Sequence, residues 1–175
     1  MQEPDPALVQ RARAGDDAAF DEIVRALRGP VVRYVDHLVR DHALAEDVTQ
    51  ETFVRCHRNL HRFESEGRFT TWLVQIARNA GIDAIRARDR HARAWQRAPH
   101  PAPASDPHAR AEIRAALAGL PARLREPLLL VEITGFSYAE AAEVLGIPEG
   151  TVKSRIFRAR RLLTRWLDGG DDDAL

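Results

Sequence analysis

The sequence predicts an all-α protein built from two small helical domains that are joined by a proline-rich linker. Apolar residues recur at the three- and four-residue spacing of helices, and no window sustains the period-two alternation of a half-buried strand. Four prolines fall within residues 98–107, and proline lacks a backbone donor and disfavours helical geometry in the residue before it. We therefore place the linker at 98–108, between domains at 1–97 and 109–167, and expect the acidic tail 168–175 to be disordered.

The charges balance over the whole chain but are unevenly distributed. The 175 residues include 26 lysines and arginines and 26 acidic residues, so the net charge gives no support for a nucleic-acid partner. Basic residues concentrate at 86–97 and 153–165, whereas acidic residues dominate 16–21, 41–51 and 171–173. Two basic stretches that lie far apart in sequence predict two separate contact regions.

Cysteine usage and the N-terminal residues predict a cytoplasmic protein. Cys56 is the only cysteine, which excludes an internal disulfide and a cysteine-built zinc site. Residues 1–6 lack the basic start and apolar run of a secretory leader, and the longest apolar stretch, 128–131, is too short to cross a bilayer. We expect no membrane insertion, no cofactor and no metal.

Capping residues and apolar spacing predict the first two helices. Asp5 is placed to cap the first, which has proline at its first position. The second begins at Asp16 or Asp17 and carries apolar residues at helical spacing. We expect Gly29-Pro30 to break or kink this helix, because proline cannot continue the hydrogen-bond ladder.

Two more helices are predicted before the linker. The third spans about Ala43 to Leu60. The fourth starts near Thr70 or Thr71, whose hydroxyl can serve as a cap, and runs through Ile85 into an arginine-rich end.

Helix boundaries are also readable after the linker. A helix is predicted over Glu112–Leu120, and Pro121 starts the next one, which ends near Thr134-Gly135. Ser137 and Glu140 have the spacing of a capping box, in which each side chain satisfies a backbone donor of the other. They predict the start of a short helix.

A helix-turn-helix is the clearest local pattern in the sequence. Ala142, Gly146 and Val152 supply a small residue at the helix contact, a left-handed turn residue and an apolar anchor on the last helix, which we place at about 149–167. The buried stripe of that helix is predicted to be Val152, Ile156, Ala159 and Leu163. Its opposite face offers hydroxyl and guanidinium groups suited to bases and phosphates: Thr151, Ser154, Arg155 and Arg158, flanked by Lys153, Arg160 and Arg161. The alternative is an ordinary helical hairpin with a solvated basic face.

Aromatic residues beside a cationic helix form a second candidate site. Phe63, Phe69 and Trp72 surround the polar loop 64–71, and such a combination can stack unpaired bases while arginines hold the backbone. Aromatic residues also favour burial, and by that criterion Phe63 and Trp72 are core residues rather than base stackers. The helix that follows adds the polar members of this candidate site: Arg78, Asn79, Asp83, Arg86, Arg88, Arg90 and Arg93.

A third candidate surface is the helix segment 46–58, EDVTQETFVRCHR. Its outward residues are predicted to be Asp47, Gln50, Glu51, Val54 and Arg58. By residue chemistry alone this is a solvated polar helix. His57 and His61 beside Cys56 form at most a partial metal site, because no nearby acidic residue completes it, and we interpret them as surface histidines.

Two blocks of sequence resemble a known family. AEDVTQETFVRCHRNLHRF followed by GRFTTWLVQIARNAGIDAIRARDR resembles the core-binding and minus-ten-element segments of the extracytoplasmic-function (ECF) group of sigma-70 factors. LPARLREPLLLVEITGFSYAEAAEVLGIPEGTVKSRIFRARRLL is similar to that group's second domain, which reads the minus-thirty-five element. The resemblance covers about residues 7–167, in the right order and with the linker in the right place. It implies an RNA polymerase sigma factor that binds core polymerase, recognises both promoter elements and opens the minus-ten region.

The resemblance also implies a role for particular residues. Core polymerase would be bound by Asp47, Gln50, Glu51, Phe53 and Arg55, with the phenylalanine as internal support. Minus-ten DNA would be bound by Arg68, Phe69, Trp72, Arg78, Asn79, Asp83 and Arg86. Minus-thirty-five DNA would be bound by Gly150, Thr151, Lys153, Ser154, Arg155 and Arg158.

The partners implied by the resemblance are the clamp and flap of core polymerase, promoter DNA and a helical anti-sigma factor. No phosphate-binding glycine loop, nucleophile elbow or catalytic carboxylate pair indicates an enzyme. The alternative is a helix-turn-helix transcription regulator that acts without core polymerase, which the second domain alone would support equally well. Because the net charge is zero, we expect the isolated chain to bind promoter DNA weakly.

Overall fold

The computed structural model describes residues 1–63, 67–95 and 115–167. The chain divides into two compact units, Met1–Ala102 and Pro103–Leu175. Helices and their connections account for the described residues, which contain no strand, so the prediction of an all-α fold is confirmed. The predicted linker and acidic tail lie outside the described residues, and the domain boundaries stay a prediction. No helix among the described residues is long and apolar enough to cross a membrane.

Four α-helices lie in the described part of the first unit. They are α1 (Pro6–Arg13), α2 (Asp17–Val39), α3 (His42–Asn59) and α4 (Phe69–Trp95), with a 3-10 turn at Leu60–Arg62 after α3. Aspartates cap the first three: Asp5 accepts a hydrogen bond from the Ala7 N–H, Asp16 from the Ala19 N–H and Asp41 from the Leu44 N–H. The predicted cap at Asp5 is therefore confirmed, and α3 begins within two residues of its predicted start.

Helix α2 is central to the core of the first unit, because it packs against α1, α3 and α4. Its buried face repeats at helical spacing: Phe20, Ile23, Leu27, Val31, Tyr34, Val35, Leu38 and Val39. Gly81 of α4 lies against Leu38, where a Cβ atom on residue 81 would stand 2.8 Å from Leu38 Cδ2. A glycine thus allows α4 to approach α2 closely.

Of the break or kink predicted at Gly29-Pro30, the break is wrong, because α2 continues through Pro30. Proline removes one hydrogen bond, to the carbonyl of Ala26, but its fixed φ is compatible with a helix. Leu27 and Val31 flank it on the buried face, so packing on both sides keeps the two halves in one helix. The helix ends instead at Arg40, which adopts the left-handed conformation with φ 58°.

The predicted threonine cap of α4 is also wrong. The helix begins at Phe69, so Thr70 and Thr71 lie inside its first turn, and both are buried. The Thr70 hydroxyl and the first backbone N–H groups bond instead to the carboxylate of Glu3, from the segment before α1. A residue 66 positions away from Phe69 supplies the acceptor that the local sequence was expected to supply.

The second unit contains a helix α5, whose described part covers 115–119, followed by α6 (Ala122–Glu132), α7 (Tyr138–Leu145) and α8 (Glu149–Leu167). The capping box is confirmed, since Ser137 Oγ accepts from the Glu140 N–H and the Glu140 carboxylate accepts from the Ser137 N–H. Gly146 adopts φ 64°, as the turn of a helix-turn-helix requires. Helix α8 packs against both α6 and α7.

Candidate protein and nucleic-acid interfaces

Helix α3 presents a polar face on the surface of the first unit. Asp47, Gln50 and Glu51 are exposed, and their spacing of three and four residues places them on one side of the helix. Phe53 on the same helix is buried, at 7% exposed, as expected for internal support. Val54 adds an exposed apolar side chain beside the polar ones.

A groove of about 440 Å³ lies between α2 and α3, next to this polar face. Phe20, Val24 and Phe53 contribute apolar walls, and Asp47 and Gln50 belong to the same lining. The guanidinium of Arg28 pairs with the Glu46 carboxylate across the groove. The polar face of α3 and this groove therefore form one surface with both apolar and charged parts.

Arg55 connects α3 to α4. Its Nε donates to Glu51 Oε1 at 2.7 Å, and its Nη1 lies 3.9 Å from Asp83 Oδ2 on α4. The predicted polymerase-binding residue Arg55 and the predicted DNA-binding residue Asp83 are thus neighbours. The two candidate faces of the first unit adjoin at this point.

The aromatic residues around the start of α4 form a cluster. The ring centroids of Phe63 and Phe69 lie 5.5 Å apart, those of Phe63 and Trp72 5.3 Å, and those of Phe69 and Trp72 5.8 Å. Phe63 and Phe69 are buried, with Phe69 only 1% exposed, whereas Trp72 is half-buried. Phe69 therefore has no surface to offer a base in this arrangement, and Trp72 is the aromatic residue of the cluster with an accessible side.

Four of the predicted DNA-binding residues follow along α4. Asn79, Asp83 and Arg86 are exposed and recur at spacings of four and three residues, so they share one face, while Arg78 is half-buried. Arg88 has a different role, because its Nη1 donates to the Val39 carbonyl at 3.1 Å. That bond satisfies an acceptor at the C-terminal end of α2.

Helix α8 separates a buried face from a polar face. Val152, Ile156 and Ala159 are buried as predicted, and Leu163 is half-buried. On the other side lie the residues predicted to contact minus-thirty-five DNA. Gly150, Lys153, Ser154 and Arg158 are exposed, and Thr151 and Arg155 are half-buried. A helix with this distribution, held by α7 through a left-handed glycine turn, can present its N-terminal half to a major groove.

Two cations of α8 are engaged in exposed ion pairs. Lys153 Nζ lies 2.7 Å from Glu149 Oε1, and Arg160 Nη2 lies 2.6 Å from Glu132 Oε1. The hydrogen bonds that Lys153 donates to Glu149 and Arg160 donates to Glu132 raise the pKa of both cations above their ordinary values, so both remain charged. Exposed pairs of this kind are weak and screened by salt, which leaves either cation able to exchange its partner for a phosphate.

The cysteine and one histidine of the partial metal site considered from the sequence have different surroundings in α3. Cys56 is fully buried, and loss of solvation raises the pKa of its thiol to about 12. His57 instead packs edge-on against Phe20, with ring centroids 4.7 Å apart. Within the described residues, no group of three or more histidine, cysteine or acidic side chains is placed to hold a metal ion.

Contacts between residues remote in sequence were not predicted. Three such contacts join residues 28 to 67 positions apart: Glu3 with the start of α4, Arg88 with the end of α2, and Arg160 with Glu132. No local pattern indicates which of many charged residues will meet at such separations. The pair of Glu149 with Lys153 is different, because its four-residue spacing on a helix is readable from sequence.

Family models match both units. Residues 23–91 match the model of sigma-70 region 2, and residues 110–163 match that of sigma-70 region 4. The first match covers α3 and most of α4, and the second covers the helix-turn-helix and its buried stripe.

Relatives match the chain over nearly its full length. The RNA polymerase sigma-H factor of Pseudomonas aeruginosa is 34% identical over 184 aligned positions, which cover 95% of each chain. The ECF RNA polymerase sigma factor SigC of Mycobacterium tuberculosis is 38% identical over 163 positions, covering 90% of this chain and 88% of the relative.

Solved structures match as well. CnrH, in complex with the cytosolic domain of CnrY, aligns with a TM-score of 0.77 and 30% identity over 95% of this chain and 99% of CnrH. The sigma factor RpoE of Bartonella quintana, in complex with the anti-sigma factor NepR, aligns with a TM-score of 0.74 and 30% identity over 85% of this chain and 96% of RpoE.

Proposed function

Because this chain belongs to the ECF group of the sigma-70 family, and so directs promoter-specific transcription initiation with RNA polymerase core, we propose that its three polar helix faces divide that work. Helix α3 docks on core polymerase, α4 captures the minus-ten element and α8 reads the minus-thirty-five element. One observation carries the proposal: each helix buries one face in a core and leaves the residues predicted for its contact mainly on the other.

The docking face on α3 combines charge with apolar surface. Asp47, Gln50 and Glu51 supply acceptors, while Val54 and the groove between α2 and α3 supply contact area. Charged groups steer association and set orientation, whereas desolvated apolar contacts supply most of the affinity. Phe53 supports this face from the core, and Arg55 ties it to α4.

The minus-ten face acts by favouring DNA that is already unstacked. Trp72 offers a partly accessible ring, Arg68 and Arg86 offer cations, and Asn79 and Asp83 offer hydrogen-bonding groups for base edges. Each stacked base contributes about 1–3 kcal/mol, so binding of a few bases shifts the duplex toward the open state without covalent chemistry. Phe69 acts in this proposal through the core, by supporting Trp72.

The minus-thirty-five face fixes the register of the promoter. Thr151, Ser154, Arg155 and Arg158 lie on the outward side of α8, where they can reach base edges in the major groove. Lys153 at the same face contacts a phosphate after leaving Glu149. Gly150 has no atom within 4 Å of the place a Cβ would occupy, and it leaves the start of the helix open to DNA.

The remaining partner is an anti-sigma factor. The two structurally similar proteins, CnrH and RpoE, are each seen in complex with another protein, and the one bound to RpoE is named as an anti-sigma factor. We extend that partnership to this chain. We also place its activity in the cytoplasm, where core polymerase works, and assign it no enzymatic activity, because selection and opening of a promoter need only binding energy.

Single-round transcription tests the proposal. Purified core polymerase is given a pool of promoters from the source genome, with and without this protein, and we expect discrete new transcripts that share two promoter elements.

Asp47→Arg should weaken core binding about tenfold or more, because it reverses a charge at the docking face. Glu22→Arg, an exposed charge reversal on α2, should not weaken core binding. Binding is measured with fluorescently labelled protein and core.

Failure would favour the other hypothesis. Absence of transcripts, together with a footprint on DNA that needs no core polymerase, would indicate a helix-turn-helix regulator. Equal core binding by Asp47→Arg and wild type would remove α3 from the docking surface.

A further inference from the structure

We propose that Glu3 is a positioning residue for minus-ten capture, because it holds the start of α4 and the side chain of Arg68 from outside the promoter-binding segment. This inference rests on the proposed function of α4. It assigns a role in promoter recognition to a residue that precedes both matched family segments, the first of which begins at residue 23.

The contacts of Glu3 converge on one short stretch of chain. Its carboxylate accepts hydrogen bonds from the backbone N–H groups of Phe69 and Thr70, the latter at 3.3 and 3.4 Å, and from the Thr70 hydroxyl. Arg68 Nε donates to the same carboxylate at 3.3 Å. The carboxylate of Glu3 therefore binds two backbone groups, a hydroxyl and a cation within three consecutive residues.

Helix α4 needs such an acceptor because the two residues directly before it cannot supply one. The first N–H groups of any helix have no partner within it, and they are usually satisfied by a Ser, Thr, Asp or Asn just before the first turn. In α4 the residues before Phe69 are Gly67 and Arg68, and neither side chain can accept a hydrogen bond. A carboxylate is well suited to the position, because the helix dipole favours negative charge there.

Fixing this turn also fixes the groups that meet DNA. Phe69 is buried and contacts Trp72, whose ring lies one helical turn from the capped N–H groups. The ion pair with Glu3 restricts Arg68 in the same way. Without the carboxylate, the first turn of α4 would fray, and the orientation of both Trp72 and Arg68 would be lost before the helix as a whole was affected.

The sign of the effect separates positioning from competition. If Glu3 only occupied Arg68 and kept DNA phosphate away, its removal would strengthen DNA binding. If Glu3 orders the segment, its removal weakens binding, and a side chain that keeps an acceptor without the charge recovers part of it. Glu3→Gln meets that description, since its amide oxygen can still accept from the Phe69 N–H.

The experiment uses holoenzyme assembled from core polymerase and the full chain. The probe is a fluorescent single-stranded oligonucleotide that carries the non-template minus-ten sequence of a promoter from the transcription assay. We expect Glu3→Ala to bind it about three- to tenfold more weakly than wild type, as the loss of a helix cap implies, and Glu3→Gln to fall between them. Affinity for core polymerase and for a minus-thirty-five duplex should be unchanged.

Asp5→Ala is the matched control. Asp5 lies in the same N-terminal segment and caps α1 through the Ala7 N–H, so its loss removes a comparable hydrogen bond away from α4. We expect it to bind the oligonucleotide within about twofold of wild type. Measurements are made well below the unfolding temperature of every variant.

Three outcomes would overturn the role of Glu3: unaltered binding by Glu3→Ala, tighter binding by Glu3→Ala, or an equal loss in Asp5→Ala. Wild-type holoenzyme that neither transcribes nor binds the oligonucleotide would overturn the proposed function, and this role with it. Normal wild-type activity with an unaffected Glu3→Ala variant would overturn the role of Glu3 alone.

Discussion

An individual side chain in this protein either is exposed and free to contact a partner or is engaged in contacts within the fold. The residue type alone does not distinguish these two roles. Arg88 and Arg86 are two residues apart in an arginine-rich stretch, yet Arg88 donates to the Val39 carbonyl while Arg86 is exposed. Phe69 and Trp72 likewise differ, since the first is buried and the second half-buried. The role of each residue follows from its neighbours.

Arg155 provides the residue-scale prediction for promoter reading. Arg155→Ala should lose about 1–3 kcal/mol of discrimination at one position of the minus-thirty-five element, because a guanidinium can bond two acceptors of a guanine and alanine cannot. Arg123→Ala, on the exposed surface of α6, should leave discrimination unchanged. The check is competition binding by holoenzyme with single-base variants of the element. A uniform loss across all variants would instead make Arg155 a phosphate contact.

At the scale of elements, this fold depends on how helices begin, end and cross. The cap at Asp5 and the capping box at Ser137 are local devices, so they were predicted from the sequence. The start of α4 and the crossing of α4 over α2 are set by residues remote in sequence, Glu3 and Leu38. Those features appear only when the helices are assembled.

The crossing of α2 and α4 leads to the element-scale prediction. Gly81→Leu should lower the free energy of unfolding of the first unit by about 1–3 kcal/mol, because the added side chain overpacks a site where even a Cβ would stand 2.8 Å from Leu38 Cδ2. Chemical denaturation measures the change. The penalty should shrink in a Leu38→Ala background, where space is available, and an identical penalty in both backgrounds would place the clash elsewhere.

At the scale of the whole molecule, the chain combines two units, each with its own core and with one helix that we propose contacts DNA. Acidic and basic residues are equal in number, so long-range attraction between the chain and DNA is weak. Affinity for a promoter must then come from surfaces that act together on core polymerase. Multivalent binding of this kind raises affinity without any new contact.

Weak binding by the isolated chain is the prediction that follows at this scale. Fluorescence anisotropy with a promoter duplex at physiological salt should give a Kd no tighter than about 1 μM for the protein alone, in the range of non-specific binding. Addition of core polymerase should tighten it by orders of magnitude. Tight, sequence-specific binding without core polymerase would show that the balance of charge does not limit the affinity of the isolated chain for DNA.

Local patterns in the amino-acid sequence were enough to predict the all-α class, most helix boundaries, the capping box, the turn at Gly146 and the buried stripe of α8. These features are encoded within a few residues of one another, because periodicity, caps and turn geometry are local properties of the chain. The helix faces that carry the candidate contacts were predictable for the same reason.

The tertiary structure alone decided that α2 continues through Pro30, that Phe69 is buried and that Glu3 rather than a threonine holds the start of α4. In each case a contact between distant residues outweighs a local preference. Burial of Leu27 and Val31 keeps α2 in one piece, and the remote carboxylate of Glu3 accepts from donors that the side chains of Gly67 and Arg68 cannot satisfy. Such contacts form only when the chain folds, so no local sequence pattern records them.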